Sequence, residues 1–231
     1  MGLPLLVEWF NELPDAAITQ SLLAPGEAAK ALARFHRRVS ERYAEGTLQR
    51  LLHQTDARTR EAAVLALSVS GSMKSNKLLI GRLGDANRRV RQLAQDALWA
   101  IWFRAAGPAC AEELQRLRHL RDRRQALPEL TALIRKAPRF AEAYNQRALM
   151  YFHLGQYPQA IADCERALKL NPFHFGAYSG MAQCYMKLNR PRAALRAFRA
   201  AYRLNPNLEG ILETIRALED AIGSDGHADP A

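Results

Sequence analysis

Residues 168–173 read LKLNPF, and residues 202–207 read YRLNPN. Asn171 and Asn205 are 34 residues apart, and the likeness holds across the whole interval when Ala141–His174 is laid over Phe175–Leu208. Tyr144 falls on Tyr178, Ala148 on Ala182, Tyr151 on Tyr185 and Leu154 on Leu188. Further along, Ala160 falls on Ala194, Cys164 on Phe198, Ala167 on Ala201 and Pro172 on Pro206. Tyr144, Ala148, Tyr151 and Leu154 follow the i, i+4, i+7 spacing of one helical face. Gly155, and Asn189 in the second copy, sit where a helix end wants a left-handed residue. Pro158 and Pro191 follow in the first turn of a second helix, where a missing N–H costs little. That helix turns Ala160, Ala167 and Leu168 inward and ends before Pro172. Each copy is thus predicted to be a helix–turn–helix unit whose alanines let the two helices approach closely.

The period and the small/aromatic pattern resemble the tetratricopeptide repeat. Upstream, Pro138 falls on Pro172 and Ala126 on Ala160, which places a degenerate repeat over residues 107–140. Downstream, NLEGILETIRALEDAIG supplies one amphipathic helix and no second, as a terminal cap should.

The first half repeats differently. RLLHQTDARTREAAVLAL (Arg50–Leu67) aligns with GRLGDANRRVRQLAQDAL (Gly81–Leu98) at an offset of 31, with Arg60 on Arg91, Ala63 on Ala94 and Leu67 on Leu98. Each reads as a short helix, a polar turn and a longer helix. The pattern is similar to the HEAT-like repeats of phycobilin lyases. That resemblance implies a turn Asp and an Arg six residues later that hydrogen-bond between units. Asp85 and Arg91 match it, whereas Gln54 replaces the Asp in the first unit and Arg60 alone remains. Ahead of these units, PGEAAKALARFHRRVSERYAEG predicts a helix started by Pro25 and stopped by Gly46, with one or two shorter helices in residues 1–24. The helix Asn87–Ala105 is apolar nearly all round after Ala97 (Trp99, Ile101, Trp102, Phe103), so it is expected to be buried on more than one side, at the joint of the two arrays.

The expected fold is therefore all-α, a right-handed α-solenoid of helix–turn–helix repeats in which a HEAT-like array is fused to a tetratricopeptide array. Its segments are a helical cap over residues 1–44, HEAT-like repeats over 45–106, and a tetratricopeptide array over 107–222. The array comprises 107–140, 141–174, 175–208 and a capping helix 209–222, and a disordered tail follows over 223–231.

Composition sets bounds on function. In 231 residues, 48% hydrophobic, no apolar run approaches the roughly 18 residues of a membrane span. The amino-terminal MGLPLLVEWFNELP lacks a basic leader region, and Cys110, Cys164 and Cys184 form no CxxC, so a reduced, cytoplasmic protein is expected. Cys164 and Cys184 read as small core residues that approach each other across the repeat interface. No GxGxxG, Walker loop or HExxH occurs. The first half also resembles the iron-dependent deoxyhypusine hydroxylases, whose helices begin with His-Glu pairs. None of the histidines at 36, 53, 119, 153, 174 and 227 precedes a Glu, so that metal site is absent. SVSGSMKSNK (68–77) reads as a polar linker between HEAT helices and is only superficially like a phosphate loop. No catalytic residue, metal or cofactor is expected.

A binding surface is expected instead. The resemblance implies a groove lined by the first helix of each repeat. Subtracting the packing face leaves Asn145, Leu149, Phe152 and His153 in one repeat and Ser179, Gln183, Met186 and Lys187 in the next, with Gln115, Arg118 and His119 extending the row. Amide, apolar and weakly basic groups suit an extended peptide or a partner helix. Repeats that clamp the acidic tails of heat-shock chaperones use Lys, Asn and Arg at set positions, where this chain has Gly180 and either Leu149 or Gly176. A second feature is charge. The net charge is +10, and Arg166–Leu208 contains no Asp or Glu. There Arg192, Arg196, Arg199 and Arg203 stack along one face of a helix, at a cost of about 0.2–0.5 kcal/mol per like-charged pair. RLRHLRDRR (116–124) is a second basic cluster. The arginine stripe is either a solvated face, neutralised by Glu209, Glu213, Glu219 and Asp220, or a site for an anion. The anion reading means nonspecific contact with a nucleic-acid backbone, of the kind made by HEAT-like DNA glycosylases. The leading reading is a non-enzymatic scaffold that binds a protein or peptide, and the alternative is anion binding through the stripe.

Overall fold

The structure is a computed structural model that describes residues 4–15, 18, 26–120 and 123–225. It is all-α: the described residues hold thirteen helices and no strand. They fall into two compact units, Met1–Ala105 and Ala106–Ala231.

The first unit contains α1 (Leu5–Asn11), α2 (Gly26–Arg42), α3 (Glu45–Leu51), α4 (Ala57–Ser70), α5 (Asn76–Arg82) and α6 (Arg88–Arg104), with a 3-10 turn at Met73–Ser75. Each long helix of the repeats starts on a side-chain cap. Asp56 accepts from the Thr59 N–H at 2.8 Å, and Asn87 accepts from Arg89 and Val90 at 2.8 and 3.1 Å. The predicted start at Asn87 is thus a cap. Gly46 is not a stop: α2 closes at Arg42, Ala44 is extended, and Gly46 lies inside α3. Glu45 begins that helix and its acidic group suits the positive amino end. Pro25 and nearly half of residues 1–24 fall outside the described residues, which hold one short helix of that segment, α1.

At the centre lies α4, with every side chain from Ala62 to Leu67 fully buried. α1, α2, α3 and α6 all pack on it. Burial on more than one side was expected of α6, which packs on both α4 and α5 and buries Ala97, Leu98, Ala100, Ile101 and Trp102, with Trp99 and Phe103 half-buried. The helix enclosed all round is α4, whose EAAVLALS offers water no polar face once Glu61 pairs with Arg58. In α6, Trp102 is buried and its indole N–H donates to Asn76 Oδ1 at 2.8 Å.

The inter-unit hydrogen bonds implied by the HEAT resemblance are present. Arg60 grips Asp85 with two bonds, Nε to Oδ2 at 2.9 Å and Nη2 to Oδ1 at 2.7 Å, and donates through Nη1 to the carbonyls of Gln54 and Thr55. One repeat later Arg91 does the same to the carbonyls of Asp85 and Ala86. Burial pushes the Asp85 carboxyl up, but Arg60, the Asn87 N–H and Arg82 outweigh it and hold the group below its ordinary value.

The second unit is a helical solenoid of helix–turn–helix repeats. α7 (Pro108–Arg118) and α8 (Arg123–Lys136) form the degenerate pair, with Ala126 buried at its expected position. α9 (Ala141–His153) pairs with α10 (Tyr157–Leu170), and α11 (Phe175–Lys187) with α12 (Pro191–Leu204). α13 (Ile211–Asp225) closes the core by burying Ile211, Ile215 and Leu218 against Ala194, Phe198 and Ala201. It runs past the expected boundary at 222, so residues 223–225 are helical, and the rest of the anticipated tail lies outside the described residues. Cys164 fills the place of Phe198, both buried, and an added Cβ at Gly180 would lie 3.7 Å from its sulfur. Burial and the neighbouring Cys184 push the Cys164 thiol up, and burial pushes Cys184 up to about 11. Neither is a nucleophile at neutral pH.

Candidate functional site

The two Leu-Asn-Pro phrases form superimposable turns. Asn171 has φ −137° and ψ 92°, and Asn205 has φ −137° and ψ 94°. Both are buried, and each side-chain oxygen accepts the N–H two residues on, Phe173 at 3.3 Å and Asn207 at 3.1 Å. The asparagine ends one repeat and aims the chain into the next. Within each repeat, Gly155 (φ 75°) and Asn189 (φ 53°) take the left-handed conformation after the first helix. The following N–H groups, of Gln156 and Arg190, return to the carbonyls of Tyr151 and Tyr185, both at 2.9 Å. These matched corners hold α9 and α11 side by side.

The face predicted for a partner is carried by those two helices. Leu149 and Met186 are 43% and 44% exposed, large apolar side chains left in water. Around them Gln183, Lys187 and His153 are exposed, and Asn145, Phe152 and Ser179 are half-buried. Phe152 is braced by Tyr157, ring centroids 5.6 Å apart, and Asn145 donates to Glu142 at 3.2 Å. Gln115 and Arg118 are exposed on α7, which packs on α8, and His119 is exposed just past its end.

Sequence reading missed the polar cluster behind this face. Glu142 and His174 are fully buried, and His174 Nε2 lies 2.8 Å from Glu142 Oε2. Because His174 Nδ1 accepts the Ala177 N–H at 3.1 Å, the ring proton is on Nε2 and is donated to the carboxylate. Gln146 donates to the other Glu142 oxygen at 2.6 Å. Nearby, Arg147 grips Asp163 with two bonds of 2.7 Å and donates to Thr131 at 3.0 Å. The 34-residue register puts Gly176, Leu208, Met181 and Ala197 where Glu142, His174, Arg147 and Asp163 stand, so repetition gave no signal for either pair.

The arginine stripe lies on α12, and Arg192, Arg196, Arg199 and Arg203 are all exposed. Of the four acidic residues weighed as counter-charges, Glu219 takes Arg199 at 2.6 Å. No described residue forms an ion pair with Arg192, Arg196 or Arg203. In the other basic cluster Arg116 pairs with Glu129. Among the described residues no group of three His, Cys, Asp or Glu side chains could hold a metal ion, and no helix is long and apolar enough to cross a membrane.

Comparison with known proteins agrees with the repeat pattern. Residues 141–174 and 175–208 each match the tetratricopeptide repeat, and residues 19–99 match HEAT repeats, starting upstream of the two aligned units. A TPR repeat-containing protein of Rhizobium etli is 37% identical over 73 residues, 32% of this chain and 36% of that protein. The Hsp70-Hsp90 organizing protein of Triticum aestivum is 26% identical over 154 residues, 64% of this chain and 25% of that protein. The chain thus spans about a third or less of the length of these relatives. Among solved structures, the first TPR of Spaghetti (RPAP3) bound to the HSP90 peptide SRMEEVD aligns with a TM-score of 0.44 at 21% identity, covering 50% of this chain and 88% of that one. With its period, its asparagine turns and its arginine–aspartate bond between units all in place, the chain is a repeat protein that carries HEAT repeats followed by two tetratricopeptide repeats.

Proposed function

We propose that the chain is a non-enzymatic scaffold that binds a protein or peptide through the face of α9 and α11. The observation that carries this reading is the pair Leu149 and Met186, exposed on adjacent helices. A fold that buries Tyr144, Ala148 and Ala182 a turn away has no packing use for them. An occupant with apolar anchors would cover them, while Asn145, Ser179 and Gln183 would bond its main chain. The relative solved with SRMEEVD holds an acidic peptide. Here Gly180, with Leu149 or Gly176, stands where a carboxylate clamp needs donors, so the peptide favoured is an apolar one.

A second reading rests on Arg192, Arg196 and Arg203, exposed without ion pairs, the first two of them beside a cleft of about 450 Å³ that also takes in Arg190 and Ile222. It is backbone-driven binding of nucleic acid, with no aromatic residues interleaved for stacking. One experiment separates the two: selection from a random peptide library, alongside anisotropy titration of mixed-sequence DNA and RNA over several salt concentrations. Leu149→Asp with Gln183→Ala should abolish binding of the selected peptides while helicity is kept, and peptides that still bind this variant fully would refute the groove. Nucleic-acid binding that falls linearly with salt on logarithmic axes, and less steeply in Arg196→Ser/Arg199→Ser, would support the stripe instead.

A further inference from the structure

The first unit contains a cleft of about 580 Å³, within the usual range for small-ligand sites. Its walls come from α2, the last turn of α4, the 3-10 turn and the end of α6. Val69 and Met73 supply apolar surface, with Ile101 buried behind the wall, and Ser40 and Ser72 add hydroxyls. The ionisable groups lining it are His36, Lys74 and Arg104, with no Asp or Glu among them.

Arg104 is built into this wall. Its Nη2 donates to the carbonyls of Leu67 at 3.0 Å and Gly71 at 2.9 Å, and its Nε to Gly71 at 3.3 Å. These carbonyls sit at the negative end of α4, so the guanidinium is oriented by a helix terminus and not by a carboxylate. Gly71 is required for that arrangement. A Cβ there would lie 2.6 Å from the Leu67 oxygen, so only glycine lets the two carbonyls converge on one side chain. No carboxylate lies within ion-pair distance of Arg104, and its Nη1 makes no hydrogen bond to a described residue. The nearest acid, Glu45, has its oxygens engaged by the Ser72 N–H at 2.9 Å, the Ser72 hydroxyl at 2.9 Å and the Ser75 hydroxyl at 2.6 Å. Burial pushes Arg104 down to about 10, with the Glu45 charge partly offsetting it, so the group is still a cation at neutral pH. A cation partly stripped of water and fixed in place gains more from an anion than a solvated one does.

We propose that this cleft binds a small organic oxyanion, a carboxylate or phosphate monoester whose head meets Arg104 and Lys74 and whose apolar body lies on Val69 and Met73. The site is independent of the peptide face, which lies wholly in the second unit. Phenyl phosphate, benzoate and inorganic phosphate serve as probes, titrated into the full chain by calorimetry and by amide NMR at about 0.15 M salt, which screens loose surface binding. Saturable one-to-one binding of an aryl anion is expected, with shifts in the amides of residues 70–74 and affinity about tenfold above inorganic phosphate. Tighter phenyl phosphate would assign a phosphate head, and tighter benzoate a carboxylate. Lys74→Gln should weaken binding about tenfold, and Arg196→Ser, on the stripe of the second unit, should leave it unchanged. Arg104→Gln removes the α4 cap as well as the charge, so Lys74→Gln, a change to an exposed side chain, decides the matter. The proposal is overturned by an absence of saturable binding at millimolar ligand, by equal binding in Lys74→Gln, or by shifts that map to α12.

Discussion

Removing the Asp85 carboxylate should destabilise the first unit by about 3–4 kcal/mol. The Asp85 side chain is 3% exposed and that of Arg60 11%, so the pair is nearly out of water. Asp85→Ala would delete two charge-assisted bonds of 2.9 and 2.7 Å, leave Arg60 with only the Gln54 and Thr55 carbonyls, and unpair the Asn87 N–H. At about 1.5–3 kcal/mol per charged bond the gross loss reaches about 6 kcal/mol. Water entering the gap returns part of it, which brings the figure within the roughly 3–5 kcal/mol typical of orphaning one member of a buried pair. The assay is urea unfolding followed by tryptophan fluorescence. All three tryptophans, Trp9, Trp99 and Trp102, lie in the first unit, so the signal reports that unit. The midpoint should fall with the slope unchanged. Arg60→Met with Asp85→Leu should recover much of the loss, because an apolar pair carries no orphaned charge. A cost below about 1 kcal/mol for Asp85→Ala, or a double variant no more stable than the single one, would refute the reasoning. The pH dependence has a fixed sign. The folded carboxyl is held below its ordinary value, so its contribution is full above that value and is lost as pH falls through the depressed one.

Two further outcomes are expected. Burial pushes Asp96, half-buried on α6, up from 3.8 to about 6, so this group's contribution to stability declines as pH rises from about 4 to about 6 and is then level. Asp96→Asn should abolish that decline and raise stability at pH 7.5 by about 1–2 kcal/mol, allowing for the solvent that still reaches the group; thermal melts across that range check it. His174→Ala should cost about 3 kcal/mol, measured by circular dichroism in urea, because Glu142 would keep only Gln146 and Asn145 as partners. His174→Gln, which restores a donor, should recover part of the loss.

What was legible in the sequence was whatever the fold has to say twice. Asn171 and Asn205, Gly155 and Asn189, and the alanines at the helix crossings recur because every repeat meets the same corner and the same close approach. Arg60 and Arg91 were legible for the same reason, whereas Asp85, with Gln54 at its echo position, was legible only through the HEAT resemblance. Features that occur once left no trace. The Glu142–His174 pair has Gly176 and Leu208 at its echo positions, so register comparison passes over it. Arg104 was invisible because its partners are main-chain carbonyls, which no residue type announces. Gly46 misled because glycine near a polar run suggests a stop, whereas the break falls at Ala44 and the glycine is simply carried in the next helix. The enclosure of α4 was written in EAAVLALS, but a helix without a polar face is easily mistaken for one with a weak one. For the candidate face, repetition identified the helices, while the exposure of Leu149 and Met186 depended on neighbours that only packing defines.

The way α1 is seated has a consequence for how the molecule can be divided. Leu6, Val7 and Phe10 are fully buried, and α1 packs on α4, with Arg58 lying over the Phe10 ring and donating to Asn11 at 2.7 Å. A contact that spans 47 residues breaks the rule that each element of a repeat array touches only its neighbours in sequence. The tetratricopeptide repeats keep that rule, so shortening or lengthening them by whole units changes the extent of the array and little else. The HEAT unit closes on itself around one helix and behaves as an indivisible body. Insertions and grafts therefore have a natural seam between 208 and 209, and none between α1 and α6, while His174 ties 174 to 175 by capping α11.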